Sequence, residues 1–412
     1  MLGINDTKYS ESYLKEQNSF LESLLCSKKY GILCPPEPLP TIQELNWLSI
    51  YITAFPKSSP LNRLAFGVGV SSCPDIAKMK ALFEGIERHA VFSSPPATFS
   101  RLASVHELQE NKEKFVHPNE LGFFKFSNTE DQVRWHRSIQ SDESSPSTYY
   151  PYAIVKGDKS HRLAEAHSSG FSCHENLDLA TSHAYLELLE RDHFLSHWWL
   201  KKPFLKIEKD TLPQSLRQSL SFYLGGLFSY IDFFCELGTN TPPSIFTRWR
   251  NKGHRGPAFL IGGSCHPTPE KALWNSLLEV LVNLNSVILS EPTPDRGLVS
   301  NFDLEIRFPM DRIRFYQHEI NAQVTDYYFE SSQSIHWKDV DQAVPFLEQD
   351  NVLYLNMTTN LEKTAGCTVV RAVAPNLIPM DGAHAQRQWW HPKLKISEAN
   401  LNILQTYPHP YP

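Results

Sequence analysis

The hydrophobic positions of this chain switch between helical and strand periods along its length. An amphipathic helix is predicted around Tyr13–Leu25, followed by the connector Pro35-Pro36-Glu37-Pro38. Tyr150–Val155 reads as a strand, Leu216–Tyr223 as a helix and Tyr230–Cys235 as another strand. Cys367–Val373 is a further strand, closed by Ala374-Pro375. The most hydrophobic stretch, from Phe222 to Leu237, contains Asp232 and Glu236 and reads as buried elements. Helices and strands joined by irregular connections predict a mixed α+β body, not a doubly wound parallel sheet.

Three of the predicted helices break the usual pattern by carrying glutamates among apolar residues. Each follows a glycine-containing stretch at a similar distance. Gly67-Val68-Gly69 leads to Glu84, Ser168-Ser169-Gly170 to Glu187, and Gly262-Gly263-Ser264 to Glu279. From the last glycine to the first glutamate the separations are 15, 17 and 16 residues. That regularity predicts one strand-loop-helix unit used three times. In the first two helices Glu84, Glu87 and Arg88, and then Glu187, Glu190 and Arg191, stand at i, i+3 and i+4, so each trio shares a face. One such trio reads as a solvated surface pattern. Here the neighbours are Leu82, Phe83 and Ile86, then Leu186, Leu188 and Leu189. Clustered carboxylates among apolar residues repel one another and resist burial. Divalent cations relieve that repulsion, and Mg²⁺ or Ca²⁺ suits oxygen ligands. Arginines beside them point to a phosphate-rich ligand, hence to a magnesium nucleotide.

Composition narrows the field. The chain has 412 residues, and a net charge of −6 argues against a nucleic-acid binder. The N-terminus lacks an apolar signal core and no uncharged apolar run reaches 18 residues, so a cytoplasmic protein with no membrane association is expected. Seven cysteines without CxxC spacing do not suggest a disulfide framework. Cys73, Cys173 and Cys265 each follow the glycine of their unit, which raises a zinc site as an alternative to small packing residues. The cation-rich stretch Arg248–Arg255 reads as a solvated turn, with a flap over an anionic ligand as the alternative. Ser141–Ser147 is a polar turn. No GxGxxG follows a strand and GxxxxGK[ST] is absent, so Rossmann and P-loop nucleotide sites are excluded.

The passages Gly67–Arg88, Ser168–Asp192 and Gly262–Glu279 resemble the YcaO family, whose ATP site is built from Glu-rich helices in place of a P-loop. Arg371, in VVRAVAP, is similar to the arginine of the family's late strand. The resemblance implies an α+β fold: a YcaO-like single large domain over residues 61–412 with repeated strand-loop-helix units and Glu-rich ATP-binding helices, preceded by an N-terminal helix and connector over 1–60. It implies ATP and Mg²⁺ as cofactors. Glu84, Glu87, Glu187, Glu190 and Glu279 would hold the metal and nucleotide, Arg88, Arg191 and Arg371 would meet phosphates or brace the glutamates, and Ser168 and Asn275 would add neutral hydrogen bonds. Three positions depart from the family pattern: Lys80 replaces a small polar residue, and Asn275 and Asn283 replace glutamines.

The chain ends Pro408-His409-Pro410-Tyr411-Pro412, a PxPxP terminus like that of the azoline-forming branch. There the tail enters the active site, and the terminal carboxylate, here on Pro412, is the implied general base. Proline pre-orders such a tail and lowers the entropy lost in placing it. The implied reaction is ATP-dependent cyclodehydration of Cys, Ser or Thr in a ribosomal precursor peptide. A homodimer is implied too, in a complex with a leader-peptide-binding partner and a flavin dehydrogenase. Thioamide or amidine formation, or an inactive scaffold subunit, are the alternatives.

Overall fold

The structure is a computed structural model. It describes residues 10–27, 31–56, 66–92, 97–121, 128–139, 147–156, 159–162, 168–238, 241–253, 256–290, 306, 309–330, 333–341, 352–380, 391–394 and 407–411. The mixed helix-and-sheet body expected from the sequence is present, as a single large domain. Of the predicted polar turn Ser141–Ser147, only the last residue lies among those described.

The first helix, α1 (Glu11–Leu25), starts at Ser10, whose hydroxyl accepts from Tyr13 N–H at 3.3 Å. Strands β1 (Glu37–Leu39), β2 (Ser49–Ala54) and β3 (Phe66–Ser71) form an antiparallel sheet in that order. Helix α2 (Pro74–Phe92) lies on β3 and also touches α1. The approach is close because β3 offers glycine to the helix. A Cβ on Gly69 would run into the Ala77 carbonyl oxygen of α2. Leu21 and Leu25 of α1 join Leu82 and Ile86 of α2 in one apolar cluster. A four-stranded antiparallel sheet follows, β4 (Ser100–Ala103), β5 (Gln132–Arg137), β6 (Tyr149–Lys156) and β7 (Lys159–Arg162).

The second unit is β8 (Phe171–His174) and α4 (Leu177–Trp199), with α3 (Val105–Glu110) lying earlier in the chain. Asn176 caps α4, its side-chain oxygen accepting from Leu179 N–H at 2.9 Å. Apolar residues surround α4 nearly all round, the mark of a central helix, and Trp198 and Trp199 are fully buried.

Next come β9 (Leu205–Ile207), α5 (Gln214–Leu224), β10 (Ile231–Glu236), β11 (Ser244–Arg250) and β12 (Phe259–Cys265), with α6 (Pro269–Leu289) packed on β11 and β12. The last part adds α7 (Pro309–Tyr316), α8 (Glu319–Glu330), β13 (Ser334–Ile335), β14 (Leu353–Asn356) and β15 (Thr368–Val373). Two further sheets result, ordered β12-β11-β10-β9-β13 and β14-β15-β8. By composition α6 is long and apolar enough to cross a membrane, with a mean hydropathy of 1.4. It serves instead as a core helix, burying Leu273, Leu277, Leu281 and Leu284.

Two expectations need correcting. Arg248 and Arg250 are not in a turn: they lie in β11, whose seven residues are all buried. A strand covered on both faces shows no alternation, so its cations look like loop residues. Their charge is met from afar, by Asp232 Oδ2 at 2.7 Å from Arg248, and by Glu319 at 2.5 Å and Asp326 at 3.0 Å from Arg250. The hydrophobic stretch Phe222–Leu237 is also only partly interior. Ile231–Cys235 are buried or nearly so in β10, whereas Phe222 is 80% exposed.

Candidate active site

Three strand–helix units share one contact. The Val68 N–H donates to Glu84 Oε2 at 2.8 Å, the Gly170 N–H to Glu187 Oε2 at 3.1 Å, and the Gly263 N–H to Glu279 Oε2 at 2.8 Å. In each unit a helix glutamate, 16 or 17 residues further on, accepts from the backbone of the preceding strand or, for Gly170, of the turn leading into it. The recurrent glycines have a geometric reason: without a side chain the strand lets the helix close enough for the carboxylate to reach its backbone.

The units then converge. Arg88 Nη2 donates to Glu84 Oε1 at 2.8 Å, and its Nη1 lies 3.7 Å from Glu87. Arg191 repeats the arrangement in α4, with Nη2 3.4 Å from Glu187 and Nη1 3.2 Å from Glu190. The charge of Glu187 opposes ionisation of Glu87, and that of Glu190 opposes ionisation of Glu279. Burial is the first cause of the shifts that follow: Glu87 is pushed up to about 8, Glu279 to about 7, and Glu187 above the ordinary carboxylate range. Burial also opposes the charge on Arg88, yet Glu84, Glu87 and Glu187 hold it above its usual value.

Five carboxylates thus face two guanidiniums, an excess of negative charge in a low-dielectric setting. One donor in the cluster is left over: Arg191 Nη1 is buried and makes no hydrogen bond. Among the described residues no three Cys, His, Asp or Glu side chains come together around one point. A cation here would therefore take one or two carboxylates together with phosphate oxygens, the habit of Mg²⁺. The donor set fits a magnesium nucleotide. It does not fit zinc. Cys173 lies beside Cys367, whose thiol donates to the Glu362 carbonyl, Cys265 is buried in a separate cluster, and Cys73 lies between β3 and α2.

The remaining predicted residues fall at varying distances from this centre. Ser168 is half-buried in the turn before β8, its carbonyl accepting from Phe171 N–H at 2.9 Å. Asn275 is exposed one turn before Glu279, with Nδ2 3.5 Å from Ser264 Oγ. Lys80 places its Nζ 3.5 Å from the Val70 carbonyl. Arg371 is buried in β15, its guanidinium over the rings of Phe171 (5.2 Å) and Tyr150 (5.9 Å). Among the described residues it pairs with none of the five glutamates. Pro412 lies outside the described residues.

The tail leading to Pro412 does reach the cluster. Trp198 Nε1 donates to the Tyr407 carbonyl at 3.2 Å and the Tyr316 hydroxyl to the Pro408 carbonyl at 2.5 Å. Residues 408–411 are buried, and the Tyr411 hydroxyl donates to Glu190 Oε1 at 2.5 Å. Sequence reasoning singled out the tail for its terminal carboxylate and passed over Tyr411. An aromatic residue between the last two prolines was the available signal. Asp192 was missed as well. It is 1% exposed, accepts from Ile378 N–H at 2.9 Å and pairs with Lys393, tying the segment after β15 to α4.

Comparison with known proteins identifies the family and the fold. The model of the YcaO family, described as YcaO cyclodehydratase, ATP- and Mg²⁺-binding, matches residues 68–378. No curated protein matches the chain. Among solved structures, a heterocyclase in complex with substrate and cofactor superposes with a TM-score of 0.67 at 17% identity, over 96% of this chain and 57% of its own. The chain thus spans little more than half the length of that heterocyclase. YcaO from Methanopyrus kandleri, bound with AMPPCP and Mg²⁺, gives a TM-score of 0.60 at 15% identity, over 88% of this chain and 91% of that one. The E. coli microcin synthetase McbBCD complex with pro-MccB17 bound gives 0.55 at 14% identity, over 86% and 90%. These likenesses establish a shared fold. The family match covers far more than half of the chain, and with it the protein belongs to the YcaO family, whose members are described as cyclodehydratases that bind ATP and Mg²⁺.

Proposed function

We propose that this protein carries out ATP-dependent cyclodehydration of Cys, Ser or Thr residues in a ribosomal precursor peptide, giving thiazolines or oxazolines. The observation that carries the reading is the seating of the C-terminal tail among the converging glutamates, with Tyr411 on Glu190. A nucleotide site alone would serve any reaction of the family; a proline-rich terminus led into that site favours the azoline-forming one.

When bound, Mg²⁺-ATP supplies the phosphoryl group that makes the amide oxygen a leaving group. The chain's own residues bind and orient. Glu84, Glu87, Glu187, Glu190 and Glu279 would hold Mg²⁺ and the nucleotide between them, one or two carboxylates to a cation, and the three backbone hydrogen bonds fix Glu84, Glu187 and Glu279. Arg88 and Arg191 offset the carboxylate charge, and Arg191 Nη1, which pairs with Glu190 at 3.2 Å without a hydrogen bond, has a donor to offer a phosphate oxygen. Arg371, Ser168 and Asn275 act at the periphery, on the nucleotide or the peptide. The carboxylate of Pro412 takes a substrate proton as general base. Burial of 408–411 cuts the entropy of placing it.

The peptide-bound McbBCD complex motivates a peptide substrate and partner proteins here too: a leader-binding protein, and a flavin dehydrogenase that oxidises azolines to azoles. Homodimerisation within that complex is part of the same proposal.

Calorimetry with Mg²⁺-ATP tests the site, using Glu187→Gln with Glu190→Gln as control. Metal-dependent binding lost in the double variant is expected; equal binding by both proteins rejects the assignment. Mass spectrometry on a pool of Cys-, Ser- and Thr-containing peptides then tests the reaction. Loss of one water per modified residue, abolished by trimming 408–412, is the expected result. Sulfur incorporation that needs added sulfide would favour thioamide formation instead.

A further inference from the structure

The penultimate side chain is built into the glutamate cluster. Tyr411 is fully buried, its ring 4.8 Å from that of Phe194 and edge-on to Phe246 at 6.4 Å. The Arg191 guanidinium lies over its face, 4.6 Å from the centroid. Its hydroxyl donates to Glu190 Oε1 at 2.5 Å and comes within 3.4 Å of Glu279 Oε2. One phenol therefore bridges α4 and α6. Space for it is reserved by the third unit, because a Cβ on Gly263 would overlap the Tyr411 hydroxyl oxygen. The same residue donates its N–H to Glu279 at 2.8 Å.

We propose that Tyr411 is a positioning residue for the cation–nucleotide site. Its hydroxyl orients the Glu190 carboxylate and its ring orients Arg191, so the site is complete only with the tail in place. This rests on the reading of the cluster as a Mg²⁺-ATP site. A carboxylate oxygen has two lone pairs, so the hydroxyl and a cation can share Glu190 without competing. A group that hydrogen-bonds a ligating carboxylate fixes its orientation, and its loss typically weakens metal binding by about 10–100-fold. The ring acts separately: a guanidinium held over an aromatic face keeps its direction. Arg191 Nη1, buried and without a hydrogen bond, is the donor whose direction that contact sets. The tail thus joins two functions in adjacent residues, site assembly at Tyr411 and the terminal carboxylate at Pro412.

Tyr411→Phe in the full chain separates the two parts, since the ring stays and only the hydroxyl goes. Mg²⁺ is titrated calorimetrically at saturating AMPPCP, with the melting temperature measured alongside. The expected result is a melting temperature lowered by no more than about a few degrees and a Mg²⁺ requirement raised by about tenfold. Tyr411→Ala also removes the support of Arg191 and is expected to weaken AMPPCP binding further. A Tyr411→Phe chain with unaltered Mg²⁺ dependence overturns the proposal. Tighter Mg²⁺ binding overturns it as well, since the hydroxyl would then be competing for Glu190. If the unsubstituted chain takes up no AMPPCP with Mg²⁺, the nucleotide-site reading falls together with this one. If it binds and Tyr411→Phe matches it, only the role of Tyr411 falls.

Discussion

Glu84, Glu187 and Glu279 occupy equivalent places in three units, and each is pinned by one backbone N–H from the strand or turn ahead of its helix. That pin distinguishes charge from shape in a substitution. Glu187→Gln keeps an acceptor for the Gly170 N–H but removes the charge, so the fold is expected to survive. Hydrogen bonds to charged groups contribute about 1.5–3 kcal/mol, so Mg²⁺-ATP affinity should fall at least tenfold. Calorimetry beside a melting curve measures both effects; a large drop in melting temperature with affinity retained would contradict the assignment. Arg191→Lys should fail similarly, because one ammonium cannot span Glu187 and Glu190 and lie flat on Tyr411. These residues were legible in the sequence because i, i+3 and i+4 spacing on a helix is local geometry. Arg371 was legible as part of a strand motif, but its aromatic sandwich of Phe171 and Tyr150 depends on two other strands.

The helices are placed by what their strands leave out. Gly69→Ala would push a methyl group into the Ala77 carbonyl and force α2 outward, at a cost of about 1–3 kcal/mol. Because Glu84 rides on α2, nucleotide affinity should fall with stability, and denaturant unfolding beside calorimetry checks the pairing. An affinity unchanged by a stability loss of that size would show that β3 does not set the position of Glu84. Strand β11 makes the opposite point. Arg250 is anchored by Glu319 and Asp326 of α8, far along the chain. Arg250→Ala removes a buried guanidinium from both carboxylates, and because Glu319 and Asp326 keep access to water the cost is about 1–3 kcal/mol. Chemical denaturation should register that loss, whereas a solvated-turn arginine would give almost none. Sequence periodicity could not find this strand, since burial on both faces removes the alternation that marks strands.

For the whole molecule, the buried carboxylates couple stability to pH. Glu87 and Glu279 bind protons more tightly folded than unfolded, with folded values of about 8 and about 7. The native state therefore holds more protons across that range, and stability falls as pH rises through it. The buried histidines have lowered values, among them His136 and His183 at about 4, so their opposite effect is spent by neutral pH. Cysteine thiols act only at higher pH. In chelator, melting temperature should thus drop between pH 7 and 8, and Mg²⁺-ATP should restore it by offsetting the carboxylate charge. A flat profile over that unit, or no recovery with Mg²⁺-ATP, would contradict the electrostatic account of the site.

The sequence alone determined the three units, their six charged partners on α2 and α4, and the glutamate of α6, because these follow from local periodicity and from glycine spacing. It also marked the proline-rich tail. Only the tertiary structure decided that Glu87 meets Glu187, that Glu190 meets Glu279, and that Tyr411 closes the gap between them. Those meetings are set by how three sheets stack their helices, and by a chain end that returns across more than two hundred residues to α4. No local period encodes contacts of that range. They arise where packing brings separate elements into one low-dielectric space, and there the same carboxylates become a site.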